Sequence, residues 1–422
     1  MKTYEYPNSH ALFERAAKVI PAGIYGHLGP AEGCFIPVSA YPFYAQRAQG
    51  AYVWDVDGNR FIDYMCAYGP IVLGYNHPAV DRAAHAQQEQ VNCAMLPGEI
   101  MVQLAEKLVS MVDSADWAFF AKNGGDVTNL AMIAARAHTR RKKIIKFAGG
   151  YHGVAQWMQF IGNAGIIDED VNNVITLPFN DAQAVEDAFK RYPGEIAGII
   201  ATPYHHPAMA DNALPEPGFW AAVRGLCDRE GALLIIDDVR AGFRLDLRGS
   251  DAHYGFKADL ICFCKALGNG YNLSALCGRE AYKEAVSSVF YTGSYWLSAM
   301  PMAAALATLT ELERVDGANL MTRQGTKLTQ GLEQAAQGQG YHLKITGEPA
   351  MWYMRLTDDD TGVLHQQWVS ECVRRGVFFT NHHNLFINTA ITDDDITYTV
   401  DVAEDAFRAL RAAGQKRRHD KK

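Results

Sequence analysis

Two short stretches of this chain end apolar runs on residues able to do chemistry. In "ICFCKALGNG", residues 261–270, a single lysine, Lys265, closes the run just before a glycine-rich turn. In "ALLIIDDVRAGFR" the run ends on two carboxylates, Asp237 and Asp238. A lysine at the mouth of a buried strand must be paired, exposed or chemically employed, because an isolated buried ammonium is costly. With its ordinary pKa near ~10.4 it is a poor nucleophile at neutral pH. Apolar surroundings lower that value and let the amine attack a carbonyl to form a Schiff base. The plainer alternative is an ion pair with one of the aspartates. For the aspartates, the choice is between a hydrated strand end and an inward acid that holds a cationic ligand.

Two further strand ends carry matching chemistry. "FFAKNGGDVTNLAMIAARAHTRRKK" runs from a strand through Asn123, Gly124 and Gly125 into a helix. Two glycines at a helix start leave backbone N–H groups open to an anion, so the loop suits a phosphate as well as it suits a plain cap. No G-K-[ST] follows, so it is not a Walker loop. "KFAGGYHG" ends on Gly149 and Gly150, then Tyr151 and His152, which suits a ring stacked over a flat ligand or an ordinary loop. Taken together, an anion cradle, an aromatic ring, a carboxylate and a lysine are the groups pyridoxal phosphate requires. No G-x-G-x-x-G follows a first strand, which argues against a nicotinamide dinucleotide. No H-E-x-x-H spacing is present, so no metal is expected, and the pairs His205-His206 and His382-His383 read as polar loops.

The elements that must position these residues follow from periodicity. "DWAFFAK", "KIIKFA", "IAGIIAT", "ALLIIDD" and "DLICFCK" are short and apolar throughout, as strands of a parallel sheet covered on both faces are. Helical patterns between them predict right-handed crossovers and a doubly wound α/β domain, with ligands outside the carboxyl ends of the strands. The expected organisation is an N-terminal segment over 1–75, a large domain over 76–305 and a smaller α+β domain over 306–422. The first contains an opening helix, "SHALFERAAKVI", and a hairpin in which "AYVWDV" and "RFIDYM" flank "DGN". The last contains strand-like "GVFFTN" and "LFINTA" and a closing helix preceded by Thr392 and Asp395 at capping-box spacing.

Across nearly its whole length the sequence resembles the class III aminotransferases of pyridoxal phosphate fold type I, with a pattern similar to glutamate-1-semialdehyde aminomutase. "GAYVWDVDGNRFIDYMCAYGP", "GYNHPAV", "KIIKFAGGYHG", "PGEIAGII", "LLIIDDVRAGFR" and "ADLICFCKALGNG" follow in that family's order and approximate spacing. The resemblance implies that Lys265 is the Schiff-base lysine and Asp237 the partner of the pyridine nitrogen. Val239 and Tyr151 would then cover opposite ring faces, with His152 beside them, and Asn123, Gly124 and Gly125 would form the phosphate loop. Gly125 stands where that loop has threonine. Trp296 falls where a threonine is lent by the second subunit, with Ser294 as a nearby substitute. Tyr68 matches an aromatic beside the cofactor, and Tyr25, His27 and His205 occupy variable segments near the substrate. "IPAGIYGHLGP" lacks the arginine expected of the aminomutase.

The implied activity is transfer of an amino group from an amino acid or amine to an oxo acceptor. An aminomutase or racemase on the same scaffold is the alternative, and a non-catalytic binding protein a distant one. The resemblance also implies a homodimer with shared sites.

The bulk properties agree. A net charge of −8 argues against nucleic acid or an anionic membrane as partner, and the basic "KRRHDKK" end reads as a solvated tail. Eight scattered cysteines without a C-x-x-C pair, no apolar signal core and no long apolar run predict a reduced, soluble, cytoplasmic protein.

Overall fold

The computed structural model describes residues 2–24, 40–160 and 162–419. Tyr25 and His27 lie outside the described residues. The strands in chain order are β1 (Ala45–Gln49), β2 (Tyr52–Asp55), β3 (Arg60–Asp63), β4 (Trp117–Ala121), β5 (Lys143–Phe147), β6 (Val174–Leu177) and β7 (Ile196–Ala201). They continue with β8 (Leu233–Asp237), β9 (Leu260–Phe263), β10 (Ser274–Gly278), β11 (Leu343–Glu348), β12 (Met351–Leu356), β13 (Val377–Phe378) and β14 (Leu385–Phe386).

Seven of them form one sheet in the order β4-β10-β9-β8-β7-β5-β6. Pairing is parallel from β9 through β8, β7 and β5 to β6, and antiparallel only where β10 lies between β4 and β9. The fold is therefore α/β with a mostly parallel sheet. Each of the five predicted apolar runs is a strand of it. Two strands were not foreseen: "VITL" is short and half-buried, and "SALCG" has little β-branched content to mark it.

The apolar runs have no polar face because both faces are covered. Leu233 and Ile235 of β8 pack in one core with Ala131 and Ala135 of helix Gly124–Thr139. Leu234 and Ile236, pointing the other way, join the larger core on the opposite face. Two-residue alternation thus feeds two apolar layers from one strand. At ~1.5–3 kcal/mol for each fully buried aliphatic side chain, both layers are needed to offset chain entropy.

The predicted hairpin joins β2 to β3, with Gly58 at φ 80° in its turn. The short β13 adds parallel to β3, so this N-terminal sheet also takes a strand from the last third of the chain. β11, β12 and β14 form a separate antiparallel sheet. The final helix, Asp393–His419, opens on the predicted capping box: the Asp395 carboxylate accepts from the Thr392 N–H at 2.9 Å, and Thr392 Oγ1 accepts from the Asp395 N–H at 3.2 Å. Among the described residues no helix is long and apolar enough to cross a membrane.

Candidate active site

The carboxyl ends of β4, β5, β7, β8 and β9 share one edge of the large sheet, where open α/β sheets bind ligands. The two aspartates ending β8 are not equivalent there. Asp237 Oδ2 lies 2.7 Å from His152 Nδ1, and both residues are buried. Asp238 faces the other way, accepting from the Ser250 N–H at 2.9 Å and the Ser250 hydroxyl at 2.6 Å. Burial pushes Asp238 up to about 7 despite those donors. With both acids nearly sealed from water, a hydrated strand end is ruled out; Asp238 ties down a helix start and Asp237 contacts His152.

Lys265 follows β9 with a left-handed φ of 39°, a conformation that costs a non-glycine residue roughly 1–3 kcal/mol and is held by its surroundings. Among the described residues it forms no ion pair with Asp237 or Asp238. Burial is the main reason its pKa drops to about 7, and the Arg240 charge adds to the effect. The lysine is therefore an available amine near neutral pH.

Helix Gly124–Thr139 presents its first N–H groups at this edge, just past Asn123. Asp126 closes the entry by accepting from the Asn123 N–H at 2.8 Å. A Cβ added at Gly124 would come within 2.7 Å of Val239 Cγ1, so glycine is what lets the helix start and the β8 loop meet. Gly125 approaches Gly153 as closely, because a Cβ on Gly153 would sit 2.6 Å from Gly125 Cα. Lys122, just before the loop, is buried with its ammonium unpartnered among the described residues, and burial lowers it to about 8. The N–H groups that open a helix suit a bound anion. Tyr151 is 53% exposed. Substituting Gly124→Ala should cost about 1–3 kcal/mol of stability through overpacking against Val239. Denaturant unfolding should show the loss, with recovery in the Gly124→Ala/Val239→Ala double variant; no loss would mean that the loops part easily.

Tyr68 reaches the site on a strained turn, with Cys66, Ala67 and Tyr68 at φ 47°, 54° and 67°. The turn is pinned by Arg244, which is fully buried and donates to the carbonyls of Gly69, Ile71 and Ile387. A Cβ on Gly69 would lie 3.5 Å from Lys265 Cδ, so the turn abuts the lysine. Tyr68 meets His383 edge-to-face at 5.0 Å. His205 stacks on Phe179 at 5.4 Å, and its Nε2 would be 3.3 Å from a Cβ on Gly149, so it braces the loop after β5. Arg240, near enough to Lys265 to affect its basicity, was missed by the sequence reading; its place three residues past Asp237 was the available signal.

Ser294 and Trp296 do not join this group within one chain. Trp296 packs edge-to-face on Phe119 at 5.9 Å, and both line a separate cavity of about 480 Å³ with Cys93, Met95, Tyr291 and Thr292. Thr292, exposed there, was not singled out from the sequence.

A family model described as "Aminotransferase class-III" matches residues 36–407. The chain is 43% identical to the aminopentol aminotransferase of Sphingopyxis macrogoltabida over 399 residues, which covers 94% of this chain and 93% of that protein. It is 32% identical to the glutamate-1-semialdehyde 2,1-aminomutase of Desulforudis audaxviator (strain MP104C), covering 96% and 99%. Among solved structures, the internal aldimine form of the Sphingopyxis sp. MTA144 FumI protein with pyridoxal phosphate superposes with a TM-score of 0.93 at 42% identity, covering 96% of each chain.

Proposed function

This chain belongs to the class-III aminotransferases, and on that premise we propose how its residues move an amino group from an amino acid or amine to an oxo acceptor with pyridoxal 5′-phosphate. The observation that carries the assignment of roles is Lys265: a partly buried lysine whose pKa desolvation lowers to about 7, unpaired with the aspartates and one strand away from the Asp237–His152 pair. Pyridoxal phosphate, when bound, supplies an aldehyde that takes up the amine and a ring that accepts the electrons released at the carbon bearing it.

The residues fit that group. Asp237, oriented by His152, is the carboxylate we assign to the ring nitrogen, where its charge keeps a proton in place. Val239 and Tyr151 would cover the two ring faces. The N–H groups after Asn123 would take the phosphate, with the helix dipole behind them. Lys265 would hold the cofactor between turnovers and serve as the base at the substrate carbon, a task matched to a pKa near operating pH. His205, and Tyr25 and His27 outside the described residues, are assigned to the substrate side with Tyr68.

The test is a half-reaction. Holoenzyme mixed with a panel of amino donors and no acceptor should lose its long-wavelength absorption and regain it when an oxo acid is added. Continuous isomerisation of a donor without acceptor would establish the aminomutase or racemase reading instead, which the relationship to an aminomutase keeps in view.

A second copy of the chain is the partner we assign to the surface around Met95, Leu96, Phe290 and Tyr295. These are 86%, 76%, 96% and 72% exposed and flank the cavity holding Ser294 and Trp296. Ser294 and Trp296 would then reach the phosphate end of the partner's site. Sedimentation equilibrium should find a dimer that Phe290→Glu weakens; a monomer at assay concentration would remove this assignment. Seven cysteines, all free among the described residues, suit a reducing compartment. We assign the cytoplasm, which cell fractionation checks.

A further inference from the structure

Arg240 follows Asp237 by three residues, at the carboxyl end of β8. Its Nη1 donates to the His206 carbonyl at 3.0 Å and to Asn384 Oδ1 at 2.7 Å, and it lies 3.1 Å from His206 Nδ1. Nη1 has two hydrogens for these three contacts, and a guanidinium cannot accept, so a proton on His206 Nδ1 would face a donor without a bond to it. Burial, reinforced by the Arg240 charge, holds His206 well below its ordinary basicity, in agreement. Asn384 is fixed in turn. It is fully buried, and its amide donates to Asn212 Oδ1 at 3.0 Å. The Asn212 N–H donates to Thr346 Oγ1 at 2.9 Å.

These layers use one corner of the guanidinium. Among the described residues Nε and Nη2 carry no hydrogen bond, and neither is a sealed, orphaned atom. Arg240 also has no carboxylate in ion-pair contact among the described residues; Asp237, the acid at the end of the same strand, is already engaged by His152. A rigid, unpaired Nε–Nη2 edge is the donor fork that a carboxylate fits with two parallel hydrogen bonds. The cofactor's phosphate is assigned to the N–H groups after Asn123, whose loop meets the β8 loop at Val239, so an effect of Arg240 on cofactor affinity must be measured apart from one on substrate.

We infer that the free edge of Arg240 is a carboxylate subsite, which takes the carboxylate of an oxo-acid acceptor or amino-acid donor and so sets its preference over neutral aldehydes and amines. The inference rests on the aminotransferase reading of the site. Arg240 also repels a proton from Lys265, and a bound carboxylate would lessen that repulsion as substrate arrives.

The test begins with a ligand that cannot react. Calorimetry should show propanoate binding to wild-type holoenzyme, weakened roughly tenfold or more in Arg240→Gln, as expected for losing charged hydrogen bonds. Arg240→Lys, which keeps the charge without the fork, should fall between. In turnover, the KM for pyruvate should rise at least as much in Arg240→Gln while that for propanal moves less than twofold. Alanine against 2-aminopropane as donors tells whether the donor uses the same subsite. Unchanged propanoate affinity, or equal losses with pyruvate and propanal, would overturn the inference and leave Arg240 a structural tie between loops. So would an effect confined to cofactor affinity. If no donor is turned over, the aminotransferase reading fails, yet Arg240-dependent propanoate binding still reports on the subsite.

Discussion

Lys265→Met is expected to lower turnover by at least ~10⁴-fold, the upper range for removing a general base, and to abolish the long-wavelength absorption of holoenzyme. Two functions leave with one side chain: the covalent hold on the cofactor and the base that moves the substrate proton. Methionine fills a similar volume without charge, so the fold should survive. Added small amines should restore part of the proton transfer without restoring the resting spectrum. Retention of both activity and spectrum in Lys265→Met would sink the assignment.

The same variant tests the environment of the lysine. Its folded pKa is about 7 against an ordinary 10.5, so between those values the unfolded chain carries a proton that the folded chain does not. Stability of the cofactor-free protein should therefore rise with pH across that window, by up to about 1.4 kcal/mol per unit. Below pH 7 both states are protonated and the contribution is flat. Because other groups titrate as well, the quantity to compare is the difference between wild type and Lys265→Met in denaturant unfolding. Parallel curves from pH 7 to 10 would mean that Lys265 keeps its ordinary basicity.

Asp237→Asn is the second large effect. Asparagine retains the shape and a hydrogen-bonding oxygen for His152, yet it carries no charge to hold a proton on the ring nitrogen. Loss of one preorganised electrostatic partner of this kind costs ~10²–10³ in rate. Asp237→Ala should be worse for folding as well, because it strands His152, only 2% exposed, without its 2.7 Å partner. A cofactor analogue methylated on the ring nitrogen carries that positive charge permanently. It should recover a substantial part of the Asp237→Asn loss and little of the Lys265→Met loss. Equal rescue of both, or of neither, would separate Asp237 from the ring nitrogen.

Much of this was legible in the chain because it is local. Five strands of the large sheet announce themselves as apolar runs, since burial on both faces removes the polar half of the period-two pattern. Gly58 marks the hairpin, and Thr392 with Asp395 the last helix start, because turns and caps are decided by neighbours a few residues apart. Lys265, Asp237, Tyr151 and the Asn123–Gly125 loop stand out for the same reason, each being a polar or small residue ending an apolar run. The family pattern then supplied their order.

What tertiary structure decided is every relation between distant segments. Nothing local separates Asp237 from Asp238; strand alternation turns one toward His152, 85 positions away, and the other toward Ser250. The depressed pKa of Lys265 arises from burial and from Arg240, and the aim of Arg240 from His206 and Asn384. Trp296, plausible at the phosphate by sequence, packs on Phe119, and with Ser294 it lines a separate cavity within its own chain. A sequence records which chemical groups are present and the period at which they recur. Their basicity and partners depend on charges and desolvation acting through space, and only the folded chain sets those distances.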